Sequence, residues 1–556
     1  MRLAPPLASG FLLSAALLSA RAVHAQDGTW ALTNARIETV TRGTIEKGTI
    51  VIRNGLIEAV GANVTPPTDA RVVDLSGRTV YPGLIDLTSS MGLPAPTTGG
   101  GGFGGGGGGG GQAAQNQSGP RFVGLEPGRL VANEANPSDA DLRGARDAGI
   151  TAVLVAPTRG AFRGLSALVP TREDSASEKV VRSPVGLHMG FQGVAGRYPA
   201  TLLGVIAYER QQLYDAQRHA AMLERYRAGV RGVARPSYDA DLDALVPVVR
   251  GQMPAFFAAS NENEIRRALD IAKEFDLKLT VVGASEAFRA IDAIKASGRP
   301  VVVSVEYPNA TAVTGWQFRA GQRRELNDSV TREAAVRRLL EGNAAALHQA
   351  GIRFALASGT LRPAEFLANV RKAVAAGLPR QAALEALTIR AAEIAGAENQ
   401  LGSIETGKIA NLVIAQGDLL SENPQLRMVF VDGVSHEVVP SSGRGAGTRA
   451  GGGGPTAQVG GTWAMAVSSP QGEVATTLTL TQSGDALDGS MTSQFGTVSI
   501  SDGRVQGRNV TFSLAMTIGG QTLQMTAEGE VDGNRMTGRI RGAEMANMNF
   551  TAERRP

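Results

Sequence analysis

The sequence predicts an α/β fold. A (β/α)8 TIM-like barrel carries a small flanking β-sandwich, and a C-terminal antiparallel β-barrel or sandwich follows. Three observations point there. Between residues 81 and 397, short apolar runs alternate with helical patterns, which implies parallel strands joined by crossover helices. Short strands rich in Ile, Val and Thr precede that region and return after it. Past residue 459 the pattern becomes a two-residue alternation broken by Gly-rich turns, as in an antiparallel meander.

The elements follow in order. Residues 1–25 read as a secretory leader: Arg2, an apolar run over 11–18, then Val23 and Ala25 as small residues before Gln26. The mature chain is therefore expected to be exported, either periplasmic or secreted. Residues 26–80 form the first part of the sandwich, with strands at 31–40, 49–52 and 56–60 separated by Asn54-Gly55 and Gly61. The barrel occupies 81–397. Its clearest strands are 151–155, 255–258, 279–282, 301–305 and 354–357. Helices are expected at 139–148, 261–275, 284–296 and 331–350, with a surface or packing helix over 208–226. Residues 398–440 complete the sandwich. A Gly-rich loop (97–119) and a Gly-rich linker (441–458) interrupt the chain. The GxGxxG matches within 99–111 carry no nucleotide signal, because no strand–turn–helix surrounds them. In 459–556, Val510, Phe512, Leu514, Met516 and Ile518 alternate with Thr511, Ser513, Ala515 and Thr517. Trp463 is expected either in that domain's core or as a plug at one end.

Composition excludes several classes. The chain has 556 residues, a net charge of +4 and no cysteine. Disulfides, Cys-ligated zinc, iron–sulfur clusters and thiol nucleophiles are thereby excluded. No run of Lys and Arg, and no aromatic interleaving, marks a nucleic-acid surface. No later stretch is long and apolar enough for stable membrane insertion. A serine nucleophile lacks its GxSxG elbow.

Pro82-Gly83-Leu84-Ile85-Asp86 carries the functional reading. Upstream stand Asn54-Gly55-Leu56-Ile57-Glu58-Ala59-Val60-Gly61 and Val73-Asp74-Leu75-Ser76-Gly77-Arg78. Downstream stand Ala383-Leu384-Glu385-Ala386-Leu387-Thr388, Leu401-Gly402-Ser403-Ile404-Glu405-Thr406-Gly407-Lys408, Asn411-Leu412-Val413 and Val431-Asp432-Gly433. Together they resemble the amidohydrolase superfamily, in particular its imidazolonepropionase-like metal-dependent hydrolases. The resemblance implies a TIM-like barrel with a composite sandwich, and hydrolysis of non-peptide carbon–nitrogen bonds. It also implies a zinc-type site, with two His on the first barrel strand, a carboxylated Lys or a Glu on the fourth, His on the fifth and sixth, and Asp on the eighth. The metal activates a water that the Asp deprotonates.

Carried over residue by residue, those ligands are missing. The two first-strand positions fall on Thr88 and Ser90, the fifth-strand position on Ala258, the sixth on Gly283 and the eighth on Gly359. The fourth-strand position has no assignable residue. Only five histidines occur: His24, His188, His219, His348 and His436, with no HxH or HxxxH spacing. No metal or other cofactor is therefore expected.

Other groups remain candidates for chemistry. Asp86 and Glu306 follow apolar runs and fit the mouth of a barrel, as a general base or as a carboxylate tethering a loop. His188 reads as a catalytic group or as a hydrogen-bonded core histidine. The loop around Arg159 and Arg163 could hold a carboxylate or phosphate, or be a solvated loop. Three functions stay open. The first is a non-catalytic homologue that binds a small molecule or pairs with an active amidohydrolase paralogue. The second is an enzyme with rebuilt, metal-independent chemistry at Asp86, Glu306 or His188. The third is binding through the C-terminal β-domain. A homo-oligomer is a further possible assembly.

Overall fold

The computed structural model describes residues 28–94, 124–172, 180–193, 198–307, 334–422, 424–438 and, with short gaps, 457–555. The expected leader and Gly-rich loop, and nearly all of the expected linker, lie outside the described residues. The chain divides into two compact units, Met1–Ser441 and Ser442–Pro556.

The first unit opens with β1 (Trp30–Glu38), β2 (Thr44–Arg53), β3 (Leu56–Gly61), β4 (Arg71–Asp74) and β5 (Arg78–Pro82). Asn54 (φ 51°) and Gly55 (φ 78°) join β2 to β3. Both central residues of such a two-residue turn need left-handed backbone, which Asn and Gly tolerate best. The barrel strands follow: β6 (Leu84–Ser89), β7 (Ile150–Val155), β8 (Phe162–Leu165), β9 (Ala167–Pro170), β10 (Leu187–Gly190), β11 (Ala255–Ala259), β12 (Leu279–Gly283), β13 (Val301–Ser304) and β14 (Phe354–Ala357). Then β15 (Leu412–Gln416), β16 (Gln425–Val431) and β17 (Val434–Glu437) return to the first sheet, β15 pairing antiparallel with β5. The result is one eight-stranded sheet drawn from both flanks of the barrel.

The barrel region departs from eight parallel strands. β6 and β7 run parallel, and β10 to β14 run parallel in chain order. Between them the chain 162–170 bends at Ser166. Its first half, β8, pairs antiparallel with β10, and its second half, β9, pairs antiparallel with β7. Part of the expected 156–164 loop is therefore strand. Among the described residues no backbone ladder joins β14 to β6, so two sheets are seen rather than one closed ring.

Strand faces are read from packing. Leu187, Met189, Phe257, Val281, Val303 and Leu356 pack with Ile265, Ala268, Leu269, Phe366 and Val370 of the surrounding helices. Phe256, Val302, Ala355 and Ala357 instead share a cluster with Ile85, Leu87, Ala152, Leu154 and Leu168 from the other sheet. Alternation along each strand thus gives one face to the helices and the other to the barrel interior.

Helix Glu262–Glu274 matches the expected 261–275. The Asn261 side chain caps it by accepting from the Glu264 N–H, and Ile265, Ala268, Leu269 and Ala272 form its buried face. The expected helix 284–296 is shorter. Gly283 (φ 96°) and Ala284 (φ 40°) lie outside helical backbone space, so a 3-10 turn at Ala287–Arg289 precedes helix Ile291–Ser297. Of the expected helix 331–350, the described part is helical from 334 but breaks at Gly342, before Asn343–Gln349.

The second unit is a closed antiparallel barrel of eight strands, beginning at Gly461–Ser469 and ending at Met545–Arg554. A barrel of this size has an interior just wide enough for side chains to fill. Trp463, Leu478, Phe512 and Phe550 fill it. The buried Trp463 indole N–H donates to the Val459 carbonyl at 2.9 Å, and the Arg554 guanidinium lies over its ring. Trp463→Ala is expected to remove about 3–5 kcal/mol from this unit, read by urea unfolding followed by circular dichroism. A loss below about 1 kcal/mol would show that the ring does not sit in a packed core.

Candidate functional site

The candidate site is the C-terminal end of the barrel strands, where groups carried by several strands can converge. Asp86 lies on β6 and is buried. Its Oδ1 accepts from the Ser358 N–H at 3.0 Å and the Thr88 N–H at 3.2 Å, while Oδ2 accepts from the Ser358 hydroxyl at 2.5 Å. Thr88 completes the clasp, its hydroxyl accepting from the Gly359 N–H at 2.8 Å. Burial raises the Asp86 pKa above the ordinary carboxylate value, and the Ser358 and Thr88 hydrogen bonds oppose that rise. Both carboxylate oxygens are engaged, so Asp86 ties β6 to the end of β14.

Glu306, just past β13, reaches across to the segment after β14. Its Oε1 accepts from the N–H and hydroxyl of Thr360. Gly359 is left-handed (φ 69°), and a Cβ built on it would lie 2.6 Å from the Glu306 Cδ. The Glu306 carboxylate therefore occupies the space into which an aspartate at position 359 would point.

A second charged side chain lies at the end of β10. Gly190 pairs in register with Ala258 of β11. A Cβ on Gly190 would lie 2.3 Å from Nη2 of Arg163. The Arg163 guanidinium comes from the antiparallel β8 and is steadied by its Nε–H donating to the Gly160 carbonyl at 3.1 Å. Burial, partly offset by Glu209, lowers its pKa to about 10, so it stays charged near neutral pH. Arg159 is exposed, so the two arginines of the expected loop do not act together. The Gly160 N–H is already spent on the Gln192 side chain at 3.3 Å.

His188 sits within β10 and is 5% exposed. Its ring stacks on Phe256 at 4.9 Å with an interplanar angle of 3°. Its Nε2 is buried without a hydrogen-bond partner among the described residues. Burial first, and then the Arg163 charge, lower its pKa to about 3, so the imidazole is neutral near neutral pH.

Sequence reasoning missed Glu209. It lies in helix Leu202–Arg227, read from the sequence as a surface or packing helix. Its side chain has no exposure, and neither carboxylate oxygen has a hydrogen-bond partner among the described residues. Burial raises its pKa well above the ordinary glutamate value, against the pull of Arg163 and Arg210. A signal existed: Val205, Glu209, Leu213, Ala216 and Ala220 fall at helical spacing on one buried stripe.

The remaining predicted positions lie at or just past strand ends. Ser90 is exposed, and Ala258 and Gly283 are half-buried on β11 and β12. A Cβ on Gly283 would lie 2.9 Å from the Ser260 Oγ. These positions do not fit the metal that the family resemblance implies. They offer two hydroxyls, a methyl and two hydrogens where imidazole or carboxylate is needed, and Asp86 and Glu306 are committed to protein donors. Among the described residues no three of His, Asp and Glu converge as metal ligands.

The comparisons follow the same lines. The profile of the Amidohydrolase family matches residues 243–439. The resemblance read from the motifs is therefore borne out over that stretch. An amidohydrolase structure from Thermotoga maritima is similar at 24% identity and a TM-score of 0.58, covering 73% of this chain and 98% of its own. That likeness gives the first unit a TIM-barrel-like fold. Molinate hydrolase (16% identity, TM-score 0.43, 77% of this chain and 99% of its own) and phenylurea hydrolase B (18%, 0.41, 74% and 97%) are more remote. No curated protein matches the chain.

Glu209 makes stability depend on pH. Its folded pKa exceeds its unfolded one, so the native state holds a proton that the unfolded chain releases. Stability then falls as pH rises above the ordinary glutamate value, by up to about 1.4 kcal/mol per unit until the folded pKa is passed. Glu209→Gln should flatten that fall and be more stable than the wild type at pH 8, as measured by urea unfolding at pH 5 and pH 8. Equal slopes for the two proteins would refute a protonated Glu209.

Proposed function

We propose that this protein is an exported, non-catalytic homologue of the amidohydrolases. It binds a small molecule at the barrel mouth, or an active paralogue, and uses no metal. The observation that carries the reading is the replacement of side chains at the strand ends. Thr88, Ser90, Ala258, Gly283 and Gly359 stand where the family resemblance implies metal ligands or the catalytic aspartate. Beside Gly359 the Glu306 carboxylate fills the vacated space, and the Arg163 guanidinium lies beside Gly190, in register with Ala258. A bound dication next to this partly buried guanidinium, charged near neutral pH, would be repelled.

A second reading rests on Glu306. Among the described residues its Oε2 makes no hydrogen bond like those that hold Oε1, and the residue is only half-buried at the barrel mouth. A carboxylate so placed could take a proton from water as general base. Binding within the C-terminal barrel has less support, since large side chains fill its interior.

Elemental analysis of the protein purified without chelator separates these readings from ordinary family chemistry. The expected metal content is well below one per chain, with no hydrolysis of amide, urea or carbamate substrates. One or two tightly held metals per chain would refute the proposal. Hydrolysis that survives chelation and disappears in Glu306→Gln would favour the second reading.

A further inference from the structure

We infer that Arg163, with His188 and Glu209 behind it, anchors the carboxylate of a small organic molecule at the C-terminal end of β10. The inference rests on the reading that the barrel mouth takes a small molecule, and it names the chemistry of that molecule.

Three features carry it. First, the guanidinium is presented rather than consumed. Its one hydrogen bond uses Nε, and Nη1 and Nη2 make none among the described residues. Arginine's planar fork pairs its terminal N–H groups with the two oxygens of a carboxylate. Second, Gly190 makes room for it. Any side chain there would collide with the guanidinium, and the absence of one leaves the charge at the strand end. Third, unpaired polar atoms lie nearby. His188 Nε2 and both Glu209 oxygens are buried without partners among the described residues, although such atoms in native structures are normally satisfied. Both groups carry a Coulombic interaction with Arg163.

Charge selects the ligand class. Burial keeps His188 neutral and pushes Glu209 toward its neutral form, while Arg163 keeps its charge near neutral pH. A single positive charge suits a monoanion. A phosphate dianion beside this partly buried guanidinium would leave negative charge unmatched.

The test is calorimetric titration of the full chain with hexanoate, with its neutral isostere hexanamide and with inorganic phosphate. The variants are Arg163→Gln and Arg163→Lys, each checked by circular dichroism. Hexanoate is expected to bind the wild type, with hexanamide and phosphate weaker. Arg163→Gln should weaken hexanoate at least about tenfold, and Arg163→Lys by less, since an ammonium keeps the charge and loses the fork. Equal hexanoate affinity in the wild type and Arg163→Gln would overturn the anchor and leave the mouth reading standing. Hexanamide binding as well as hexanoate would do the same. Arg163-dependent phosphate binding tighter than hexanoate would replace the carboxylate with an inorganic anion. Binding of none of the three would remove both the anchor and small-molecule capture at the mouth.

Discussion

The barrel end depends on one buried carboxylate. No backbone ladder joins β14 to β6 among the described residues, and the junction is made by Asp86 with Ser358 and by Thr88 with Gly359. These hydrogen bonds cross from the first barrel strand to the segment after the last. They hold Gly359 in its left-handed conformation and so set the floor on which Glu306 rests. A polar clasp in a buried position is costly unless every lone pair is used, and here both oxygens are engaged.

The mouth built on that clasp shows how a site can change while its scaffold stays. Removing a side chain from a packed strand end leaves a space that something must fill. At Gly359 the filler is an acidic side chain from the neighbouring strand, and at Gly190 a basic one from the antiparallel segment. The charge pattern of the mouth is therefore set by residues outside the ligand positions. A residue-by-residue comparison of those positions sees only losses.

Much of this was legible in the sequence, and the rest was hidden for physical reasons. The strand–helix alternation located β7, β11, β12, β13 and β14, because buried parallel strands read as continuous apolar runs. The two-residue period over 510–518 located a barrel strand of the second unit. The segment 162–170 was read partly as loop, since Arg163, Gly164 and Ser166 interrupt its apolar pattern and its antiparallel direction leaves no mark in one chain. Asp86 was legible as scaffold through its motif, but its partner Ser358 lies 272 residues away. Glu209 is easy to pass over, because a glutamate in a polar helix normally faces water, although it shares a helical stripe with Val205 and Leu213. Its burial follows from which stripe of that helix packs, a tertiary fact.

The pairing of β5 with β15 has a consequence for how the chain is made. Tyr81 lies opposite Val413, so roughly 330 residues must be synthesised before that register can close. Until then β5 has only its short parallel contact with β1 at Arg36 and Ile37, and its other edge is open. Such non-local pairings form slowly, and an unpaired edge invites association with other chains. β1, β2 and β3 can pair as they emerge, but β5 is secured on both edges only once the chain beyond the barrel is made, and the vulnerable interval lasts until then.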